Sequence, residues 1–257
     1  MDSLDPANPP VTIVPEHVNP RAWGFWGTVL WGLVVFAAMF VGQIAVVLFF
    51  AFVRGGAFDQ AAMIRAVAGS GTTISLSVIA GLPAVLLALW FAIRFTRVSF
   101  ADYLALRWTS WRNVAVGVIG LAALVAGWDL MSRAIGKEVS PDFMTDVFKS
   151  ARADDAVWLL VLAFCAAAPI TEELFARGFL YRGLSESLLG VPGAILVSSI
   201  VWTSLHLQYD WFFFGEVFCI GLWFGYIRYR SQSTWLTIVL HALNNLAAVV
   251  QSYLLAG

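Results

Sequence analysis

Long apolar stretches, separated by short polar connections, run along the chain from about residue 26 to its end. A helix that crosses a bilayer needs about 20 apolar residues. The pattern therefore predicts an all-α fold, a polytopic transmembrane helix bundle of about seven spans, with six to eight as the range. The predicted spans are 26–52, 73–95, 114–135, 156–184, 191–208, 211–229 and 234–255.

Two segments do not fit this pattern. Residues 1–22 are polar and Pro-rich, and we expect them to form a flexible N-terminal tail without a cleaved signal peptide. Residues 54–72 are too polar to cross a membrane, but they could lie at its surface as a short helix. We expect the remainder, 23–257, to be a single transmembrane domain.

Composition narrows the function classes. The chain is 60% hydrophobic and 12% charged, whereas a soluble domain carries roughly 25% charged residues. This excludes a soluble enzyme and a disordered chain, and a net charge of −1 offers no basic surface for nucleic acid. Cys165 and Cys219 lie far apart in apolar runs, so we expect neither a disulfide framework nor a zinc site made of thiols.

The basic residues suggest an orientation in the cell membrane. Arginines concentrate in the second, fourth and sixth connections, whereas the third connection, at about 136–155, mixes both signs of charge. The positive-inside rule places the arginine-bearing connections in the cytoplasm. We therefore expect a cytoplasmic N-terminus and an outer C-terminus.

A charged cluster interrupts the fourth predicted span. Glu173 and Arg177 are four residues apart, so on a helix they share a face and can pair. Glu172 points about 100° away from Glu173 and has no basic residue four positions from it. A carboxylate left over in this way is a candidate general base, and Pro169 could kink the helix and make room for a water. The alternative is a helix end at the interface, where these charges are simply solvated.

Two histidines lie in later spans, and each has a polar or aromatic residue at helical spacing. His241 precedes Asn245 by four residues, and Trp202 precedes His206 by four, so that its ring can pack on the imidazole. A lone histidine in such a helix is more often a packing residue. Together with Glu172, however, these side chains suffice for hydrolysis by an activated water, with donors for the oxyanion that forms.

Two further carboxylates are embedded in apolar runs. Asp129 and Glu216 each stand alone in a predicted span, and either could line the same cavity. We favour a structural role for both. No GxSxG, GxGD or HExxH pattern occurs in the chain, which disfavours serine, aspartyl and zincin protease chemistry.

Taken together and in this order, the motifs resemble those of the CPBP family of membrane proteases, which includes the type II CAAX prenyl endopeptidases and Abi-like bacterial proteins. The resemblance covers about 156–255, and the family commonly has Phe where this chain has Trp. The matching motifs are EExxxR, aromatic-xxx-His and HxxxN, which stand here as Glu172-Glu173 to Arg177, Trp202 to His206, and His241 to Asn245.

The resemblance implies a glutamate-type endopeptidase whose cavity opens toward the cytoplasm. We expect no metal cofactor, because pairing with Arg177 explains Glu173 better than metal binding does. The substrate would be a peptide or a membrane-protein terminus, lipidated or not. A zinc-dependent variant is the alternative chemistry, because two Glu and two His can in principle bind zinc. The implied roles are water activation by Glu172 and His206, oxyanion binding by His241 and Asn245, and support by Glu173, Arg177 and Trp202.

Other functions stay open at this point. A non-catalytic immunity or interaction protein of the same family would keep the cluster only for helix association. A transporter would use Glu172, Glu216 and Asp129 as a proton relay, but the chain lacks the repeated halves typical of that class. One difficulty concerns depth: at 1.5 Å per residue, Glu172 lies about 24 Å from the outer end of its span and so near the arginine-bearing side. His241 lies about 10 Å from that side, but His206 lies about 21 Å from it. A single site then requires a shifted fourth span or a steeply tilted fifth.

Overall fold

The computed structural model describes residues 23–53 and 69–255, and over these ranges the chain is helical, without a β-strand. This confirms the predicted polytopic helix bundle. The expected tail at 1–22 and most of the surface segment proposed at 54–72 lie outside the described residues.

The helices follow the predicted spans to within a few residues. Five of them, α1, α2, α4, α6 and α9, are long and apolar enough to cross a membrane. Helix α7 is shorter and ends in a 3₁₀ turn at Ser204–His206. The bounds are α1 Phe25–Val53, α2 Gly71–Arg94, α3 Phe100–Tyr103, α4 Trp111–Ala134, α5 Asp142–Ala153, α6 Val157–Ser185, α7 Gly190–His206, α8 Trp211–Ser231 and α9 Thr234–Leu255.

Helix α5 was not predicted. It lies in the third connection and buries one apolar face, made of Met144, Val147, Phe148 and Ala151, against the bundle. The spacing of these residues is that of an amphipathic helix. The signal was present in the sequence, but a segment of 12 residues with many charges is too short to register as a span.

Helix α6 forms the centre of the bundle. In its most apolar stretch 61% of the residues are buried, against 33% or less in the other four candidate spans. Two π-helical turns, Ala163–Ala167 and Leu174–Leu180, flank a short α-helical segment that contains Glu172 and Glu173. Pro169 is the second residue of this segment and follows the first π turn, so the kink considered there takes the form of a π turn. Such turns widen a helix locally and often occur at functional sites.

The two ends of the bundle differ in charge. At one end, here called the arginine-rich end, Arg182 donates to the carbonyl of Asp102 at 2.7 Å and Arg107 donates to that of Gln232 at 2.9 Å. At the opposite end, Lys137 and Asp210 form an ion pair of 2.9 Å between the α4–α5 and α7–α8 connections. Helix α5 lies at this opposite end.

Candidate active site

A cavity of about 620 Å³ lies between the helices, and its wall includes most of the polar side chains that the sequence singled out. Helices α1, α2, α4, α6, α7, α8 and α9 all contribute to its wall. Asp129 and Glu216, for which the sequence left a position at the cavity open, both line it. The other predicted site residues on its wall are Glu172, Trp202, His206, His241 and Asn245.

Behind the cavity wall, Glu173 and Arg177 form a fully buried ion pair. Arg177 Nη1 donates to Glu173 Oε1 at 2.9 Å, and both side chains have 0% exposure. Arg177 Nη2 donates to the carbonyl of Gly221 on α8 at 3.0 Å, and its guanidinium lies 4.5 Å from the ring centroid of Trp202. The pair neutralises both charges and ties α6 to α7 and α8.

His241 joins this pair from α9. Its Nδ1 lies 3.1 Å from Glu173 Oε1, and its Nε2 lies 4.0 Å from Glu172 Oε2. Because a carboxylate oxygen only accepts, Nδ1 carries the proton toward Glu173. Nε2 is then the ring atom left for the cavity, and it donates there only when the ring holds both protons.

Glu172 differs from Glu173 in its exposure and in its hydrogen-bond partner. Its side chain retains 16% exposure and lines the cavity, whereas Glu173 is sealed from it. Its Oε2 accepts a hydrogen bond of 2.6 Å from Trp202 Nε1. Sequence reasoning placed the Trp202 ring only against His206. The indole N–H contact to Glu172 was missed, because it joins residues 30 positions apart.

His206 lies one turn beyond Trp202. Its Nδ1 is 3.2 Å from the carbonyl of Trp202, and its ring meets the indole edge-on with centroids 5.1 Å apart. The carbonyl only accepts, so Nδ1 is the donor and Nε2 of a neutral ring is an acceptor. Glu172 is hydrogen-bonded to Trp202 and not to His206.

Asn245 stands on the side of α9 that faces the start of α6. Its Nδ2 donates to the carbonyl oxygen of Phe164 at 2.8 Å, while the residue also lines the cavity. This contact was missed because a backbone carbonyl leaves no trace in the sequence.

The depth difficulty does not arise in the structure, because the rings of His206 and His241 both contact the indole of Trp202, with centroids 5.1 and 5.3 Å away. Helix α6 is also shifted along the bundle axis. Arg228, three residues before the end of α8 at Ser231, donates from Nε to the carbonyl of Arg177 at 3.0 Å. Helix α6 continues for eight more residues, to Ser185, so it projects past α8 at the arginine-rich end. Glu172 thereby comes level with His241.

The cavity opens at the end opposite the arginine-rich end. Its wall includes Val139 and Pro141 from the α4–α5 connection, and Gln208 and Tyr209 from the α7–α8 connection. None of its lining residues comes from the connections at 95–110, 186–189 and 232–233. The positive-inside rule predicted that the arginine-rich end is cytoplasmic, and the family resemblance implied that the cavity opens to the cytoplasm. Because the two features lie at opposite ends of the bundle, only one of these expectations can hold.

The described residues do not form a zinc site. Among them, no three His, Cys, Asp or Glu side chains are arranged to hold a metal ion. Glu173 Oε1 is already engaged by Arg177 and His241.

The site thus combines a cavity-lining glutamate, two cavity-lining histidines and a second, buried carboxylate paired with arginine. Residues 154–247 match the family model described as type II CAAX prenyl endopeptidase Rce1-like. This match confirms the resemblance to the CPBP proteases. The matched range includes Glu172, Glu173, Arg177, Trp202, His206, His241 and Asn245. No curated protein and no solved structure matches the chain.

Proposed function

We propose that the protein is an intramembrane endopeptidase that hydrolyses a peptide bond near a terminus of a membrane-associated or lipidated protein or peptide. Glu172, helped by His206, takes a proton from water, whose oxygen attacks the scissile carbonyl carbon. His241 and Asn245 donate to the oxyanion. The proton then passes to the leaving amine as the carbon–nitrogen bond breaks, so no metal is needed.

The observation that carries the proposal is that two adjacent carboxylates, Glu172 and Glu173, have different surroundings. Glu173 is fully buried and engaged by Arg177 and His241. Glu172 borders the cavity, and within the part of the chain that the structure describes its one hydrogen-bond donor is Trp202, which binds Oε2. Purely structural carboxylates would both be expected to find buried cationic partners.

The surrounding groups match the other roles. The Nδ1–H of His206 is committed to a backbone carbonyl, so its Nε2 can accept a proton from water. His241 presents Nε2 to the cavity and donates from it when both ring nitrogens carry a proton, and Asn245 has a second amide hydrogen besides the one bound to Phe164. These two are the donors that we assign to the oxyanion.

The cavity favours a chain terminus as the substrate. A volume of about 620 Å³ accommodates a short extended peptide and not a folded domain. The matched family is named for prenyl endopeptidases acting on CAAX proteins. We therefore propose a membrane-bound C-terminal peptide as the substrate class, with lipidation as a property to be tested.

The decisive experiment compares protein termini in membranes of cells that express the wild type, Glu172→Gln or Glu216→Gln at equal levels. Glu216→Gln is the matched control, since it removes a second carboxylate from the same cavity. We expect a set of new termini that disappears with Glu172→Gln, persists with Glu216→Gln and survives treatment of the membranes with metal chelators.

The alternatives predict different results. A non-catalytic interaction protein would yield the same termini with and without Glu172. A transporter would likewise yield termini that depend on neither Glu172 nor Glu216, and a zinc enzyme would lose its products on chelation. Each of these outcomes would contradict the proposed chemistry.

A further inference from the structure

The indole of Trp202 contacts four ionisable side chains of the site, namely Glu172, Arg177, His206 and His241. It is 2% exposed, and its ring centroid lies 4.5 Å from the Arg177 guanidinium carbon. The rings of His206 and His241 meet it edge-on, with centroids 5.1 and 5.3 Å away. Contacts on several sides leave the indole little freedom to rotate.

The indole N–H is directed at the candidate general base. Nε1 donates to Glu172 Oε2 at 2.6 Å, and His241 Nε2 lies 4.0 Å from the same oxygen. An indole N–H is a donor only, so this contact keeps Oε2 in the accepting role. Oε1 is then the carboxylate oxygen left to bind a water.

The space that the indole needs is provided by Gly221. A Cβ at this position would lie 3.1 Å from Trp202 Cε3 and 3.2 Å from Ser199 Cβ. The carbonyl of Gly221 also holds Arg177. A small residue on α8 thus lets the larger ring occupy the position at which Phe is common in the family.

We infer that Trp202 is a positioning residue for the proposed hydrolysis, whose indole N–H orients the Glu172 carboxylate and stabilises its ionised form. The inference rests on the proposed function. A charged acceptor strengthens such a hydrogen bond, and Phe at this position would supply the ring without the donor. The other ionisable groups that share the cavity with Glu172, or pack behind it, are Asp129, Glu173, Arg177, His206, Tyr209, Glu216 and His241.

The kinetic test uses Trp202→Phe and, as matched control, Trp223→Phe. Trp223 also donates from Nε1 to an acceptor on another helix, the Gly117 carbonyl at 3.1 Å, but it does not line the cavity. The probe is a quenched-fluorescent peptide copying the cleavage site found in the comparison of termini. For Trp202→Phe we expect kcat to fall about tenfold with little change in KM. The acid limb of the pH–rate profile should move up by about one pH unit.

A second measurement does not depend on activity. In protein labelled with ¹⁵N at the indole nitrogens, the resonance missing from Trp202→Phe identifies the Trp202 N–H. We expect Glu172→Gln to move this resonance upfield, since a neutral amide is a weaker acceptor than a carboxylate. Glu216→Gln should leave the resonance in place.

The outcomes separate the inference from the proposed function. If Glu172 is needed for cleavage but Trp202→Phe keeps the wild-type pH profile and kcat, the inference is overturned and the function stands. If the Trp202 resonance does not shift in Glu172→Gln, the inference is also overturned. If no cleavage depends on Glu172, the proposed function fails, and the role of Trp202 in the reaction fails with it.

Discussion

The side-chain amide of Asn245 donates a hydrogen bond of 2.8 Å to the carbonyl oxygen of Phe164, in the first π-helical turn of α6. In that turn the N–H of Ala168 bonds to the carbonyl of Ala163, five residues earlier. In the same register the donor for Phe164 would be Pro169, which has no N–H. Asn245 supplies the hydrogen bond that the proline cannot make, and so fixes α9 against the helix that carries Glu172.

This relationship predicts that stability and activity can be separated. Asn245→Ala leaves a carbonyl without a donor, which costs about 1–3 kcal/mol when it is buried. Adding Pro169→Ala restores a backbone N–H to α6 and should recover part of the lost stability. It should not restore hydrolysis, because the amide proposed to bind the oxyanion is still missing. Melting temperatures and peptide hydrolysis of the single and double variants check both points.

Asn244→Ala is the control for this pair. Asn244 also lines the cavity, next in sequence to Asn245, and Pro169→Ala should have no compensating effect on it. Recovery of full activity in the Asn245→Ala, Pro169→Ala double variant would contradict an oxyanion role for Asn245. Absence of any recovery in melting temperature would contradict the role of the proline.

Much of the fold was predictable because apolar length alone marks the membrane helices, and the ends of α6, α8 and α9 lie within two residues of the predicted spans. The pairing of Glu173 with Arg177 followed from the helical period. The contact of Asn245 with Phe164 did not, since it involves a backbone atom. The shift of α6 was equally hidden, because it depends on how Arg228 packs against another helix and not on a local pattern.

Because the Glu173–Arg177 pair is fully buried, we expect the protein to lose much of its stability when the pair is broken. Glu173→Gln leaves the Arg177 guanidinium at 0% exposure with no carboxylate bound to it, and removing one partner of a buried pair costs about 3–5 kcal/mol. We expect a marked fall in melting temperature and in the yield of folded protein in detergent. Arg177→Met added to Glu173→Gln should recover part of this loss.

Glu186→Gln is the matched control for that experiment. Glu186 pairs with Arg182 at the same i,i+4 spacing, at 3.1 Å, but the carboxylate is 45% exposed. Exposed pairs of this kind contribute about 0.2–1 kcal/mol. Equal losses in the two variants would mean that the Glu173 pair behaves as a surface ion pair.

Asp210 predicts a small pH dependence of stability. The hydrogen bond from Lys137 lowers the pKa of Asp210, and the backbone N–H groups of Phe212 and Phe213 add to the effect. A lowered folded pKa stabilises the protein above about pH 3.9, the usual aspartate value, and the benefit is lost as the pH falls through the folded value. Because the carboxylate is 51% exposed, we expect at most about 0.5 kcal/mol.

The measurement compares melting temperatures of the wild type and Asp210→Asn across acidic and neutral pH. Asn is also a good N-cap, so this change removes the ion pair while keeping the cap of α8. The difference between the two proteins should be present at pH 7 and disappear in strong acid. A deficit that persists unchanged in acid would assign the effect to the cap.

The position of the cavity mouth predicts which residues share a side of the membrane. Gln208 is exposed and borders the cavity, whereas Arg230 is exposed at the arginine-rich end, where α1 also begins. In a background without Cys165 and Cys219, Gln208→Cys and Arg230→Cys should react with membrane-impermeant maleimide from opposite sides of sealed vesicles. A tag at the N-terminus should share the side of Arg230.

The side on which Gln208→Cys reacts is also the side from which a substrate enters. Reaction from outside the cell would agree with the positive-inside rule and rule out a cytoplasmic cavity. Reaction from the cytoplasm would agree with the family resemblance and reverse the orientation expected from the arginines. Labelling of both cysteines from the same side would contradict the helix arrangement itself, since α8 joins the two positions across the bundle.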